Sequence, residues 1–322
     1  IVAVVIVPAF ASEHMIVGYL LPFMIWSIAA IGLNILTGYA GQLSLGHGAF
    51  MAVGAYSAYN LAVRIPDLPL LAVFIGAGLI AAACGVVVGS PSLRIKGFYL
   101  AVATLAAQFF SEWVFATFPW FVGGAASMVI DTPKMSLFGY PIESNLDNYF
   151  LVLGFVIVTT LLAKNLVRSA IGRAWMAVRD MDVAAEVIGI RPLYTKLSAF
   201  AVSSFFAGIA GALYAFCYVK SVDFTAFDLF VSLKVLFMII IGGMGSILGC
   251  FLGAAFIVIL PILLNVAAHH LTGGQVSPEL ITNIEHMTFG GLIVYFLIVE
   301  PYGLARMWTT AKEKLRLWPF PH

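Results

Sequence analysis

Two stretches of this chain contain no Asp, Glu, Lys or Arg and are too long for a single membrane-spanning helix. Residues 14–63 form an uncharged stretch of 50 residues, and residues 235–278 form one of 44. About 20 helical residues cross a bilayer, so each stretch must fold back at least once. Because 62% of the residues are hydrophobic and only 10% are charged, the interior of a water-soluble fold is too small to bury all of the apolar side chains. The sequence predicts an all-α polytopic membrane protein.

Shorter uncharged stretches predict the remaining spans. They lie at residues 68–93, 97–118 (broken by Glu112), 148–163, 197–219 and 286–299. With two helices from each long stretch and one more that includes residues 1–11, the prediction is about ten transmembrane helices in a single domain, residues 1–322. The chain begins at Ile1 and not at Met, and we expect residues to precede it.

The basic residues predict the orientation. Twelve of the 16 Lys and Arg residues fall on one side of a ten-span arrangement, in the connection after residue 93, at residues 164–196 and in the tail at residues 302–322. Because basic residues are retained on the cytoplasmic side, we expect an even number of spans and a cytoplasmic C-terminus. The loop at residues 119–148 is then external.

Two glycine-rich segments interrupt the long uncharged stretches. Residues 38–48 are rich in glycine and polar side chains, and residues 242–246 read Gly-Gly-Met-Gly-Ser. Backbone that leaves a helix inside the membrane needs partners from the protein or from a water-lined cavity, so paired interruptions indicate a translocation pathway. The residues assigned to this pathway or its gate are Asn34, Gly38, Gly41, Gln42, Ser44, His47, Gly242 and Gly243.

Close helix packing is the alternative interpretation of these glycines. Gly245, Gly249 and Gly253 recur every four residues, a spacing that lets two helix backbones approach. For His47, packing or a backbone hydrogen bond is favoured over a proton relay, because no carboxylate lies within two helical turns of it. Both interpretations stay open at this point.

The connection at residues 164–196 is amphipathic and not a span. Asp182 is expected to be the N-cap of a short helix over residues 183–188, with Gly189 as its C-terminal stop and Pro192 preventing continuation. Such a helix either lies in the membrane interface or presents its apolar residues to a cytoplasmic partner. In the second case we expect Arg179 and Glu186 at the rim of the contact.

Several function classes are disfavoured by what the sequence lacks. A net charge of +1 gives no basic groove for a nucleic acid. The spans contain no Ser/His/Asp set, metal-ligand cluster or carboxylate pair, so a membrane enzyme ranks last, and we expect no catalytic residue, metal or cofactor in this chain. A channel or secondary transporter remains possible, although the two longest stretches lack charged residues for ion coupling. No phosphate-binding GxxxxGK[ST] motif occurs, so an ATPase would be another polypeptide.

Four segments resemble the permease subunits of branched-chain amino acid ABC importers, specifically the longer of the two permeases. They are LNILTGYAGQLSLGHGAF at residues 33–50, GRA through RD and AAEVIGI within residues 172–190, FAGIAGALY at residues 206–214 and GGMGS at residues 242–246. They are distributed over most of the chain between about residues 30 and 300. One departure lies in the external loop, where residues 122–127 read VGGAAS in place of the family's usual TGGSDG.

The resemblance implies a type-II-like ABC importer permease fold in a bacterial inner membrane. It also implies a paralogous permease subunit, two cytoplasmic ATPase subunits that bind ATP and Mg, and an extracytoplasmic solute-binding protein. The transported solute is then a branched-chain amino acid, with another amino acid, a carboxylate, urea or a short amide as alternatives. The residues expected to couple the chain to the ATPases are Arg179, Asp182, Ala185, Glu186 and Gly189.

Overall fold

The computed structural model describes residues 12–65, 67–92, 99–121, 129–133, 135–137, 140–142, 144–272, 278–299 and 303–317. The described chain is mostly helical; α1 contains two wider π-helical segments, Ile16–Leu20 and Ile35–Tyr39, and α8 contains one, Tyr214–Val219. The helices are α1 (Glu13–Tyr39), α2 (His47–Arg64), α3 (Leu70–Ser92), α4 (Tyr99–Thr117), α5 (Asn145–Arg168), α6 (Ala170–Asp180), α7 (Asp182–Val187), α8 (Pro192–Val219), α9 (Leu229–Gly242), α10 (Ile247–Thr272), α11 (Pro278–Val299) and α12 (Gly303–Leu317).

Seven helical segments of the described chain are long and apolar enough to cross a membrane. They are α1, α3, α4, α5, α8, α10 and the segment Phe224–Gly242, which ends in α9. The prediction of an all-α polytopic membrane protein is therefore confirmed. The span predicted to include residues 1–11 lies outside the described residues.

Both long uncharged stretches fold back where their glycines were expected to interrupt them. The first interruption separates α1 from α2, and the second separates α9 from α10. Gly41 has a φ of 69°, Gly243 of 111° and Gly245 of 77°, values that side chains with a Cβ rarely adopt. These glycines let the backbone leave one helix and enter the next without steric strain.

Helix α8 lies at the centre of the bundle and packs against α1, α2 and α3. A Cβ at Gly54 would overlap the backbone of Gly208, and a Cβ at Gly211 would overlap the carbonyl of Met51. The backbones of α2 and α8 therefore touch directly, as small residues permit in membrane bundles. Helices α1 and α8 are mostly buried, whereas α3, α4, α5 and α10 turn most of their surface outward.

Helix α4 is the least embedded of these spans. An apolar groove of about 690 Å³ lies among α2, α3 and α4 and is lined by Phe50, Tyr56, Cys84, Phe110 and other side chains. Arg64 closes one end of the groove, where its guanidinium lies 3.7 Å from the ring centroid of Trp120. The contact of α4 with α3 is consequently looser than that of α2 with α8.

Short strands connect the ends of the helices. Strand β1 (Ile130–Asp131) pairs antiparallel with β4 (Ser221–Val222), and β2 (Ser136–Leu137) pairs with β3 (Tyr140–Pro141). β4 directly follows α8, and α5 begins just after β3, with Ser144 and Asp147 forming its capping box. These strands therefore lie at the end of the bundle opposite to α6. The altered loop sequence at residues 122–127 lies outside the described residues.

Candidate translocation gate and coupling element

The two helix interruptions meet through the side chain of Asn34. Its Oδ1 accepts a hydrogen bond from the Gly245 amide at 2.8 Å, and its Nδ2 donates to the Ser246 carbonyl at 3.1 Å. A Cβ at Gly38 would overlap both the Asn34 amide and the Gly245 nitrogen. One buried side-chain amide thus satisfies backbone groups that the second interruption leaves free, as membrane burial requires.

Gln42 ties the first interruption to the start of α8. The Thr37 hydroxyl donates to the Gln42 carbonyl at 3.0 Å, and the Gln42 Nε2 donates to the Lys196 carbonyl at 3.2 Å. The Gln42 Oε1 is buried and has no hydrogen-bond partner among the described residues.

Ser44 and His47 are both buried at the start of α2. The Ser44 hydroxyl accepts the Gly46 amide at 3.4 Å, and the His47 Nε2 lies 3.0 Å from the Ala29 carbonyl oxygen. The geometry agrees with the backbone hydrogen bond favoured from the sequence for His47. Among the described residues, no three His, Cys, Asp or Glu side chains could share a metal ion.

Helix α7 differs slightly from its predicted boundaries. It covers Asp182–Val187, one residue earlier at each end than predicted, and Met181 is the N-cap, without a side-chain hydrogen bond. The prediction of Asp182 as N-cap is therefore wrong, because its carboxylate faces the Lys196 Nζ at 3.9 Å. The predicted stop is present: Gly189 has a φ of 89°, and the Ile190 amide bonds to the Ala185 carbonyl at 3.0 Å.

Helix α7 presents apolar side chains outward from a charged surface. Met181, Val183, Val187 and Ile188 are each between 69% and 83% exposed, whereas Ala185 is buried. Glu186 is also exposed. Clustered exposed apolar side chains with polar surroundings are typical of an interaction site. The preceding helix is firmly held, since the buried Trp175 donates its Nε1 hydrogen bond to the Ser198 hydroxyl at 2.9 Å.

Arg179 connects this element to the first interruption. Its Nη1 donates to the Gly38 carbonyl at 2.8 Å, and its Nε pairs with Asp180 at 2.8 Å. A Cβ at Gly41 would come within 2.7 Å of the Arg179 Cγ. Arg179 remains an exposed residue, so its predicted place at the rim of a partner contact stays a prediction, and its guanidinium also supplies a donor to the Gly38 carbonyl. We call α6 and α7 the candidate coupling element, and residues 38–48 with residues 242–246 the candidate gate; Arg179 puts the two in direct contact.

A buried polar cluster around Gln108 was missed by the sequence analysis. The Gln108 Oε1 accepts the Ala49 amide at 2.7 Å and the Ser232 hydroxyl at 3.0 Å. Its Nε2 donates to the Phe227 carbonyl at 2.7 Å and to Glu112 at 2.8 Å. Both donors and both acceptor positions of the amide are used. Helices α4 and α9 in this way satisfy the free amides at the start of α2.

One signal in the sequence could have revealed this cluster. Thr104, Gln108 and Glu112 recur every four residues on the otherwise apolar α4, so they share one face of the helix. Thr104 is part of the same arrangement, since its hydroxyl accepts the Leu45 amide at 2.9 Å. A polar stripe on a spanning helix indicates a face turned toward protein.

We expect Gln108→Leu to lower the free energy of unfolding by about 3 kcal/mol, since it leaves several buried polar groups unsatisfied. Denaturation of the purified chain in mixed micelles measures the change. Ser111→Ala is the matched control, because it removes only a hydrogen bond to the Gln108 carbonyl at 2.8 Å within α4. Equal stability of both variants would show that the cluster does not hold α2 in place.

The family comparison agrees with this architecture. A family model described as branched-chain amino acid transport system / permease component matches residues 15–297. The chain belongs to this permease family. The match covers both interruptions, α6, α7 and the Gln108 cluster, so the candidate gate and the candidate coupling element lie within the matched residues.

Individual relatives of this permease carry the same description. Proteins named high-affinity branched-chain amino acid transport system permease protein LivM, from Escherichia coli and Salmonella typhimurium, are each 32% identical over 321 residues, which is 91% of this chain and 70% of theirs. A probable branched-chain amino acid transport permease protein LivM from Methanocaldococcus jannaschii is 25% identical over 327 residues, 88% of this chain and 91% of its own. No solved structure matches the chain.

Proposed function

We propose that this permease imports branched-chain amino acids and forms half of a translocation pathway powered by separate ATPase subunits. The observation that carries the proposal is the hydrogen bond from Arg179 to the Gly38 carbonyl. It joins a surface element with an exposed apolar face to the point at which a membrane helix is interrupted. The names of the relatives support the solute class.

The proposed assembly contains a paralogous permease, two cytoplasmic ATPase subunits that hold ATP and Mg, and an extracytoplasmic binding protein. ATP binding would shift the ATPase surface against α7, and Arg179 would transmit that movement to Gly38. Asn34 would pass it on to the second interruption, because it bonds Gly245 and Ser246. Gln42, Ser44, His47, Gly242 and Gly243 belong to the same gate, while Asp182, Ala185, Glu186 and Gly189 belong to the docking element.

The proposed topology has ten spans in a type-II-like permease fold in the inner membrane. Helices α2 and α11 would join the seven long apolar segments, and the tenth span is the one predicted from the sequence to include residues 1–11, which lie outside the described residues. At 18 residues, α2 is about 27 Å long, which supports its crossing most of the bilayer core. Residues 164–196 and 302–322 would be cytoplasmic, and residues 119–148 external.

Reconstitution tests the function. Proteoliposomes that contain the chain with its paralogous permease and ATPases should accumulate leucine, isoleucine and valine only when ATP is supplied to the ATPase side and the binding protein to the other. Uptake by the chain alone would instead identify a channel or secondary transporter. Preferential uptake of urea, a short amide or a carboxylate would overturn the solute assignment.

Single cysteines test the topology. Leu146→Cys lies at one end of the 24-residue helix α5 and Ile171→Cys beyond its other end, and both side chains are exposed. In intact cells an impermeant thiol reagent should label position 146 and leave positions 171 and 310 (Thr310→Cys) unlabelled. These positions spare Ser144 and Ser169, whose side chains cap α5 and α6. Labelling of 146 and 171 from the same side would contradict the arrangement.

A further inference from the structure

Helix α12 is amphipathic along its length. Leu304, Met307, Trp308 and Ala311 recur at spacings of three and four residues, so they form one apolar face. Thr309 and Glu313 lie on the opposite face. Lys312 and Lys314 occupy the two boundaries between these faces, about 80° to either side of the centre of the apolar stripe by the geometry of an α-helix.

The apolar face of α12 is only partly covered. Leu304 packs against the bundle core, but Met307 is 46% exposed and Trp308 is 60% exposed. Ala311 is exposed as well. No described segment covers the outer part of this face. A tryptophan on such a face is typical of the region where headgroups meet acyl chains.

The charges indicate what covers the face. Lysines at both boundaries of an apolar stripe can extend their ammonium groups toward headgroups while their methylene stems stay against the acyl region. Lys312 and Lys314 are both exposed, and Glu313, between them in sequence, points to the opposite face. A membrane surface is flat and can engage both lysines at once, whereas a protein groove would have to supply acidic groups along both of its rims.

The location of α12 agrees with a membrane surface. Its first residue, Gly303, has a φ of 66° and packs on the second interruption, where an added Cβ would lie 2.7 Å from the Gly243 Cα. The second interruption contacts the first, and Arg179 of α6 holds the first. Helix α12 therefore emerges at the same end of the bundle as the coupling element, which is where a juxtamembrane helix would meet headgroups.

We propose that the apolar face of α12 lies in the bilayer interface and that Lys312 and Lys314 bind anionic lipid headgroups there. Through the contact of Gly303 with Gly243, this anchor fixes the position of the second interruption relative to the membrane surface. Anionic lipid would thereby restrict the movement of the gate. The proposal concerns this chain and its lipids, and it does not depend on which solute is transported.

Spin labels on opposite faces of α12 test the placement. We would label Ala311→Cys and the matched control Thr309→Cys in the full chain, in nanodiscs of phosphatidylcholine with phosphatidylglycerol. The label at 311 should collide with oxygen dissolved in the bilayer and be protected from a water-soluble nickel chelate, and the label at 309 should show the reverse. The unsubstituted chain supplies the background from Cys84, Cys217 and Cys250.

Charge reversal tests the role of the lysines. In Lys312→Glu/Lys314→Glu the protection at position 311 should no longer increase when phosphatidylglycerol is added, whereas Lys312→Arg/Lys314→Arg should keep that increase. Equal water access at 309 and 311 would overturn the interfacial placement. Protection at 311 that appears only after the ATPase subunits are added would assign the face to a protein contact. Protection that is the same with and without anionic lipid would overturn the headgroup site.

Discussion

We expect Ala185→Pro to abolish ATP-driven uptake while leaving the permease folded in the membrane. The Ala185 amide donates to the Met181 carbonyl at 3.0 Å, and proline removes this bond and clashes with the preceding turn, at a cost of about 3 kcal/mol in a helix. Helix α7 has only six residues, so it has no second turn to retain its shape. The measurements are solute uptake into proteoliposomes and solute-stimulated ATP hydrolysis by the reconstituted complex.

Glu186→Ala is the matched control on the same helix. Glu186 is exposed, and a rim charge of this kind contributes about 1 kcal/mol or less, so uptake should fall only slightly. Gly189→Trp should resemble Ala185→Pro, because it combines a positive φ with a bulky group on the docking face. If Ala185→Pro shows wild-type solute uptake and wild-type stimulation of ATP hydrolysis, the ATPase contact lies in another part of the chain.

The second prediction with a large effect tests whether the glycines of the first interruption are needed for gating or only for close packing. We expect Gly41→Val to reach the membrane as a folded protein that does not transport. Its Cβ would lie 2.7 Å from the Arg179 Cγ and 3.4 Å from the Arg179 Cα, so α6 at the end of the bundle must shift and the Arg179 to Gly38 contact is lost. The strain of a β-branched residue at a φ of 69° adds to this effect. Uptake and the amount of folded protein in the membrane are measured together.

Gly46→Val should fail earlier, at folding. A Cβ at Gly46 would overlap the backbone carbonyl of Thr104, which cannot move without displacing α4. We expect little monodisperse protein after extraction in detergent. If both variants transport at the wild-type rate, the segment has no special role. If Gly41→Val also fails to fold, close packing is sufficient to explain its glycines.

The sequence predicted the features that are determined by residues close together along the chain. Uncharged stretches and glycine positions indicated both fold-backs, and Gly189 marked the end of α7. The contacts between these elements could not be predicted in the same way, because Asn34 and Gly245 are 211 positions apart, and Arg179 and Gly38 are 141 apart. Nothing local to either partner specifies such a pair, so only the folded chain shows it.

Distance along the chain also explains why the sequence alone did not indicate the Gln108 cluster or the environment of α2. Ser232 lies 124 positions from Gln108. Its hydroxyl accepts the Gly48 amide of α2 at 2.7 Å, a contact that depends on how α4 and α9 approach. Helix α2 is pressed against α8 through Gly54, and it carries polar residues such as Asn60 that protein neighbours satisfy. A rule based on charge spacing cannot distinguish such an interior helix from one that faces lipid.

The backbone contacts between α2 and α8 limit how the protein can change shape. Two helices can slide past one another when a layer of side chains between them can move from one set of grooves to the next. Gly54 contacts the Gly208 backbone and Gly211 contacts the Met51 backbone, so no side-chain layer lies between α2 and α8 at these points. Gly208 also faces Ala81 of α3, so the three helices should rotate as a rigid body. Helix α4 is hydrogen-bonded to the start of α2 through Gln108 and to the segment before it through Thr104, so it should move with this body.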